Sequence, residues 1–218
     1  MTGLRRCHAV RAAGGLMAVA LLAATGCSAT GAAPGGVPGG VPGHRSAASS
    51  GPSADHTSGF GWFVPRAVPT GWRQAGLPDL TAVMAYPPSA RPIQADTGAV
   101  AVAQRGAQGD FLLYLNATPK QGAESLANWA TFRLAHQADE ASSVTLVASA
   151  TGLMFTRGRG SCVMDDYTSR HGPRAYREIA CFVAGKRGSS VLVAATSREH
   201  WSAERATVQA AVESYTPR

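Results

Sequence analysis

The sequence predicts an α+β fold: a mainly antiparallel β-sheet layered with two principal helices, behind an apolar leader and a low-complexity tether. Three observations predict it. Short alternating apolar segments, separated by Gly- and Pro-containing turns, recur between residues 80 and 195. Two segments, 122–138 and 202–215, change to a helical period. Cys162 and Cys181 are equidistant from the His171-Gly172 midpoint, so a hairpin turning there sets them opposite each other. Several strands, a helix, more strands and a helix form the pattern of an antiparallel α+β domain.

The elements follow in order. Gly61-Trp62-Phe63-Val64 opens the aromatic-containing region, and Pro69-Thr70-Gly71-Trp72 gives a turn followed by an aromatic. Leu80–Tyr86 is predicted as a strand ended by Pro87-Pro88. Ala99–Ala103 and Phe111–Asn116 alternate as strands around a Gly106–Gly109 turn. In the first helix, Leu126, Trp129, Ala130, Arg133 and Leu134 share a face. Strands are predicted at Val144–Ala148, near Met154, and at Cys162–Thr168, Tyr176–Val183 and Val191–Ala195. Ser202 is the expected cap of the last helix, and Val208, Ala211, Val212 and Tyr215 are its apolar stripe.

The hairpin carries the most detailed expectation. Its register pairs Met164 with Ile179, Asp166 with Arg177 and Tyr167 with Tyr176. Pro173 has no N–H to give a ladder, so Arg170–Pro173 is the loop. That loop makes Cys162–Cys181 a non-hydrogen-bonded pair, in which side chains approach most closely, and a disulfide is expected. It would act as a structural staple worth ~3 kcal/mol in the chain-entropy model. The same register sets Asp165 against Glu178, a like-charge pair.

The organisation has three parts: 1–26 a signal peptide, 27–58 a lipidated cysteine and flexible tether, and 59–218 a single folded domain. Residues 1–11 are basic and 12–24 apolar, too short for the ~20 residues that span a bilayer as a helix. Ala24-Thr25-Gly26-Cys27 then resembles the lipobox of bacterial lipoproteins, with Ala24 where Leu is commoner. The resemblance implies cleavage between Gly26 and Cys27 and acylation of the Cys27 thiol. Cys7 leaves with the leader, Cys27 takes lipid, and Cys162 and Cys181 remain as a pair, so no cysteine is unassigned. Each buried methylene contributes ~0.8 kcal/mol, so two or more acyl chains anchor stably. Residues 28–58, with PGGVPGGVPG, contain no Trp, Tyr or Phe and cannot offset their ordering entropy by burial. They read as a tether reaching roughly 30 Å. His44 and His56 lie in it and read as solvated. All four Trp and all five Tyr lie beyond residue 61, so the core belongs to the last part.

Composition limits the function classes. The formal charge is +7; removing Arg5, Arg6 and Arg11 with the leader leaves 17 basic against 13 acidic residues. That mild excess does not indicate nucleic acid, and weak attraction to anionic lipid or wall polymer is as plausible. No Gly-x-Ser-x-Gly elbow appears, and His136, His171 and His200 read as exposed polar residues. Asp165 and Asp166 are strand neighbours on opposite faces, unsuited to sharing one ion, and Asp139-Glu140 reads as an exposed helix end. No zinc spacing or calcium loop appears, and Arg157-Gly-Arg-Gly lacks the ending of a phosphate loop. It reads as a Gly-rich hairpin turn. Arg170, Arg174 and Arg177 cluster around the other hairpin, a weak candidate for lipid headgroups.

Pro69-Thr70-Gly71-Trp72, the helix opening Ala123-Glu124-Ser125-Leu126 and the closing Val212-Glu213-Ser214-Tyr215 resemble actinobacterial cell-envelope lipoproteins with a PsbP-like domain. The resemblance implies an antiparallel sheet layered with helices, no catalytic residues, and binding or scaffolding at the envelope. The expectation is a lipid-anchored, extracytoplasmic, non-enzymatic module without cofactor or metal. Its partners would be the membrane, through the lipid, and an envelope protein or wall component. A carrier of an apolar ligand is the second reading and an envelope hydrolase the third.

Overall fold

The computed structural model describes residues 59–170, 172 and 174–218. The segments expected to be signal peptide and tether, with Gly26, Cys27, His44 and His56, lie outside the described residues, as do His171 and Pro173.

The strands are β1 (Arg73–Gly76), β2 (Ala82–Tyr86), β3 (Arg91–Ile93), β4 (Val100–Arg105), β5 (Phe111–Pro119), β6 (Ala141–Phe155), β7 (Gly158–Ser169), β8 (Ala175–Gly185), β9 (Ser189–Ser197) and β10 (Thr216–Pro217). The helices are α1 (Trp129–Glu140) and α2 (Trp201–Glu213), the latter entered through a 3-10 turn at Arg198–His200. Seven strands form one sheet in the order β3-β4-β5-β9-β8-β7-β6, and β1-β2-β10 form a second. Every pairing is antiparallel. The described residues are therefore α+β with two α-helices, as their periodicities predict.

Alternation along β7 and β8 gives the large sheet two buried faces. Cys162, Met164, Ile179, Cys181 and Val183 join Leu192 and the α2 stripe Val208, Ala211, Val212 and Tyr215 in one cluster. Met84 and Tyr86 of β2 complete it, so α2 and the small sheet cover this face together. On the other face Trp129 of α1 packs on Val163, Ala180 and Phe182. Its indole Nε1 donates to the Ala180 carbonyl at 2.9 Å, which satisfies the one polar atom that burial of the ring would orphan.

The β7–β8 register is the predicted one: Cys162↔Cys181, Met164↔Ile179, Asp165↔Glu178, Asp166↔Arg177 and Tyr167↔Tyr176. The Ser169 N–H donates to the Arg174 carbonyl at the end of the ladder. Counting back in twos makes the cysteines a non-hydrogen-bonded pair, and their Cα atoms are 4.1 Å apart. The disulfide forms between them inside the core.

Several boundaries differ from the sequence reading. α1 starts at Trp129, after a turn in which the Ser125 N–H donates to Asn128 Oδ1 (2.7 Å) and the Asn128 N–H to Ser125 Oγ (3.3 Å). Such side-chain bonds offer the backbone an alternative to helix. The segments at Val144–Ala148 and Met154 are one strand, β6, whose register shifts three times against β7. Each bulge breaks the period-two pattern that a strand shows in sequence. Ser202 does not cap α2; His200 holds the N-cap position without a side-chain cap bond. Gly158-Arg159-Gly160 is not a turn but the start of β7, paired across to β6 and β8. A Cβ on Gly160 would lie 2.3 Å from the Phe155 ring, and one on Gly158 2.2 Å from the Ala184 carbonyl oxygen. Close packing explains these glycines, and an anion need not be invoked.

Candidate functional site

Two polar constellations stand out from the apolar core. The first lies under α1. Asp165 and Glu178 are opposite each other and almost wholly buried. Arg133 answers Glu178 with two bonds, Nε to Oε1 at 2.7 Å and Nη2 to Oε2 at 2.9 Å. Burial alone would lower the Arg133 pKa, but Glu178 beside it reverses the direction and raises it. No donor reaches either Asp165 oxygen. Burial, and then the charge of Glu178, push the Asp165 carboxyl up to about 8, so it keeps its proton near neutrality and faces Glu178 as a donor. That resolves the like-charge pairing foreseen from the register. Burial also raises the pKa of Tyr167 and Tyr114 nearby. The network is enclosed beneath a helix, and its position suits a structural role.

The second constellation lies at one end of the large sheet, where the β4–β5 turn, Gly172 and Arg174 beside the β7–β8 hairpin, and the Arg198–His200 turn meet. The β4–β5 turn is tight: the Gly106 N–H donates to the Asp110 carbonyl and the Gly109 N–H to the Gly106 carbonyl. Gly109 has φ 78°, and the Asp110 carboxylate folds over Gly106, where a Cβ would lie 2.4 Å from Oδ1. Arg105 donates to the Gly109 carbonyl at 3.0 Å and lies 4.4 Å from the centre of the Phe111 ring. Arg174 reaches across from the other hairpin to the Gln108 carbonyl at 2.7 Å.

Three adjoining concavities result. One of about 510 Å³ is lined by Gln108, Asp110, Arg174 and Arg198 among others. A second, about 430 Å³, shares Gln108, Asp110 and Glu199 and adds His200. A third, about 420 Å³, shares Arg174 and adds Arg105 and the rings of Phe111, Tyr167 and Tyr176.

His200 is half-exposed and belongs to this cleft. Its Nδ1 lies 2.7 Å from Ser197 Oγ, 3.5 Å from Asp110 Oδ2 and 3.5 Å from Glu199 Oε1. A serine, a histidine and a carboxylate therefore meet here, as a hydrolase would require. They meet at the wrong atoms. A proton relay needs serine and carboxylate on different ring nitrogens, whereas both are on Nδ1 here. His136, by contrast, is exposed on α1 and pairs with Glu140 at 3.6 Å.

The arginines around the hairpin all have protein partners. Arg170 donates to the Ala138 and Ala141 carbonyls and so caps the C-terminus of α1. Arg174 holds the β4–β5 turn, and Arg177 bonds Asp166 twice, at 2.7 and 2.8 Å. Those engagements weaken the headgroup reading. Asp165 and Asp166 face opposite sides of the sheet and share no ion: one meets Glu178, the other Arg177 and Arg198.

Sequence reading identified the cysteines and their pairing but missed the cleft. Asp110 is a single carboxylate between the Gly106–Gly109 turn and the next strand, and Glu199 and His200 lie far from it in the chain. The only signal was the adjacent Glu199-His200 before a helix.

No known family and no curated protein matches the chain. Among solved structures it is similar to cyanobacterial PsbP (CyanoP) from Synechocystis, with 7% identity and a TM-score of 0.49 over 69% of this chain and 94% of that one. It is similar also to a protein of unknown function from Pseudomonas aeruginosa, with 12% identity and a TM-score of 0.41 over 67% and 97%. A Bacteroides thetaiotaomicron protein gives 10% and 0.42, over 68% of this chain and 49% of that one. The chemistry of the cleft stands on this chain's own residues.

Proposed function

We propose that the chain is an envelope lipoprotein, anchored through Cys27 at the extracytoplasmic face of the membrane. Its PsbP-like domain binds or scaffolds a polar partner, a protein or a wall component, through the end of the large sheet. The observation that carries the reading is the group of three adjoining concavities of about 510, 430 and 420 Å³. Arginine, carboxylate, amide and aromatic groups line them, a mixture suited to polar recognition. No helix among the described residues is long and apolar enough to cross a membrane. The carrier reading has less support. Leu113, Leu115, Ile179 and Leu192 fill the interior at zero exposure. The apolar hollow between Tyr86, Pro92, Ile93 and Val102 is about 270 Å³, below the ~300 Å³ at which small-molecule sites begin.

Two experiments test the proposal. Cys27→Ser should abolish acyl labelling and leave the precursor uncleaved; normal labelling would refute the anchor. A photo-crosslinker at Gln108 should capture a discrete envelope component in living cells, while one at Lys186, outside the cleft, should not. Equal capture from both positions, or co-purified lipid with no captured partner, would refute the binding face.

A further inference from the structure

We propose that Asp110, Glu199 and His200 form a binding site for a divalent transition-metal ion, zinc above all, in the cleft at the end of the large sheet. The three side chains each offer one ligand atom, and these atoms all lie within 4.8 Å of one another. Two of the spacings are already those of a metal's coordination shell. His200 Nδ1 lies 3.5 Å from Asp110 Oδ2 and 3.5 Å from Glu199 Oε1. Bonds of ~2.1 Å to a tetrahedral ion set its ligands ~3.4 Å apart.

A second observation points to a missing ligand. The Asp110 side chain is 8% exposed, and its Oδ2 is buried without a hydrogen-bond partner. A buried carboxylate oxygen without a donor is costly, and an ion beside it removes the cost. Gly106 is the reason the carboxylate can sit there, since any side chain would occupy its place.

The donor set selects the ion. One imidazole nitrogen and two carboxylate oxygens suit zinc, which takes mixed nitrogen and oxygen ligands. Calcium takes six to eight oxygens, more than these residues supply. Three protein ligands leave a fourth position, which faces the concavity of about 430 Å³. Water, or an anionic group of a bound partner, would complete the shell there. Ser197 Oγ, 2.7 Å from Nδ1, orients the ring and gives up that bond when the nitrogen ligates. Glu199 is the exposed member, 69% open to solvent, so its carboxylate has room to turn toward the ion.

This inference names a ligand of the cleft already assigned to partner binding and rests on that reading of the face, but the test reads the metal alone. Zn²⁺ is titrated into the purified full chain against a chromogenic chelator, in a background with His44→Gln and His56→Gln to silence the tether. Co²⁺ absorption reports the geometry. The expected result is one equivalent bound, with a tetrahedral Co²⁺ spectrum. His200→Gln, Asp110→Asn and Glu199→Gln should each weaken binding by more than the ~10–100-fold typical of losing an outer-shell partner. His136→Gln, on α1 away from the cleft, should leave affinity unchanged. Glu199 is exposed, so its variant keeps the fold even if that of Asp110 does not. Unchanged affinity in Glu199→Gln and His200→Gln, or no binding below the millimolar range, overturns the site. Metal binding that fails while Gln108 still cross-links removes the ion and spares the binding face; the reverse outcome removes the partner and spares the ion.

Discussion

Asp165 shows what a single carboxyl can do inside this fold. An aspartate in an unfolded chain ionises near ~3.9; in the fold, burial and Glu178 push Asp165 up to about 8. Between those values the folded state holds a proton that the unfolded state has lost. Its contribution to stability is therefore fully present below the unfolded value and is lost as pH rises through the folded one. One such group changes stability by at most ~1.4 kcal/mol per pH unit. Urea unfolding should show the wild type weakening from about pH 5 to about pH 8, whereas Asp165→Asn, which carries no charge at either pH, should weaken less. A variant with the same slope as wild type would mean that Asp165 is ionised in the fold.

At the scale of elements, the β7–β8 hairpin is held by its ladder and by the disulfide between its strands. The bridge joins residues 19 apart, a loop for which the chain-entropy model gives ~3 kcal/mol. Cys162→Ala with Cys181→Ala should lower the stability of the fold by about that amount, measured by denaturant unfolding under oxidising conditions, with the strand content unchanged by circular dichroism. The hairpin is also where the sequence was most legible. Mirror placement of the cysteines determines a register, and period two then assigns every side chain to a face. β1 and β3 were not legible because they are short edge strands, mostly exposed, and carry no alternating apolar set. β6 was legible only in pieces, because its bulges reset the alternation. The cleft is harder still. Asp110, Glu199 and His200 come together only through the pairing of β5 with β9, and nothing local in either segment announces the other.

Across the whole molecule, the first described residues are fastened to the last helix. Phe60 is buried, and the Phe63 ring lies 4.8 Å from that of Phe155. Val64 and Arg66 donate backbone N–H groups to the Glu213 side chain and carbonyl respectively. The Arg66 guanidinium also pairs with the Glu213 carboxylate, which is 2% exposed. A chain beginning at Gly59 keeps all of these contacts and should unfold at the midpoint of the full chain. A chain beginning at Ala67 loses the aromatic packing and leaves a buried carboxylate without its cation. Losing a buried phenylalanine costs about 3–5 kcal/mol; the ion pair adds a smaller share, because its Arg66 side is half in solvent and screened. The shorter chain should therefore unfold at a much lower urea concentration, while Arg66→Met in the full chain should reproduce only the ionic share of the loss. Equal midpoints for all three chains would show that the segment from Gly59 to Arg66 merely lies on a domain that is complete without it.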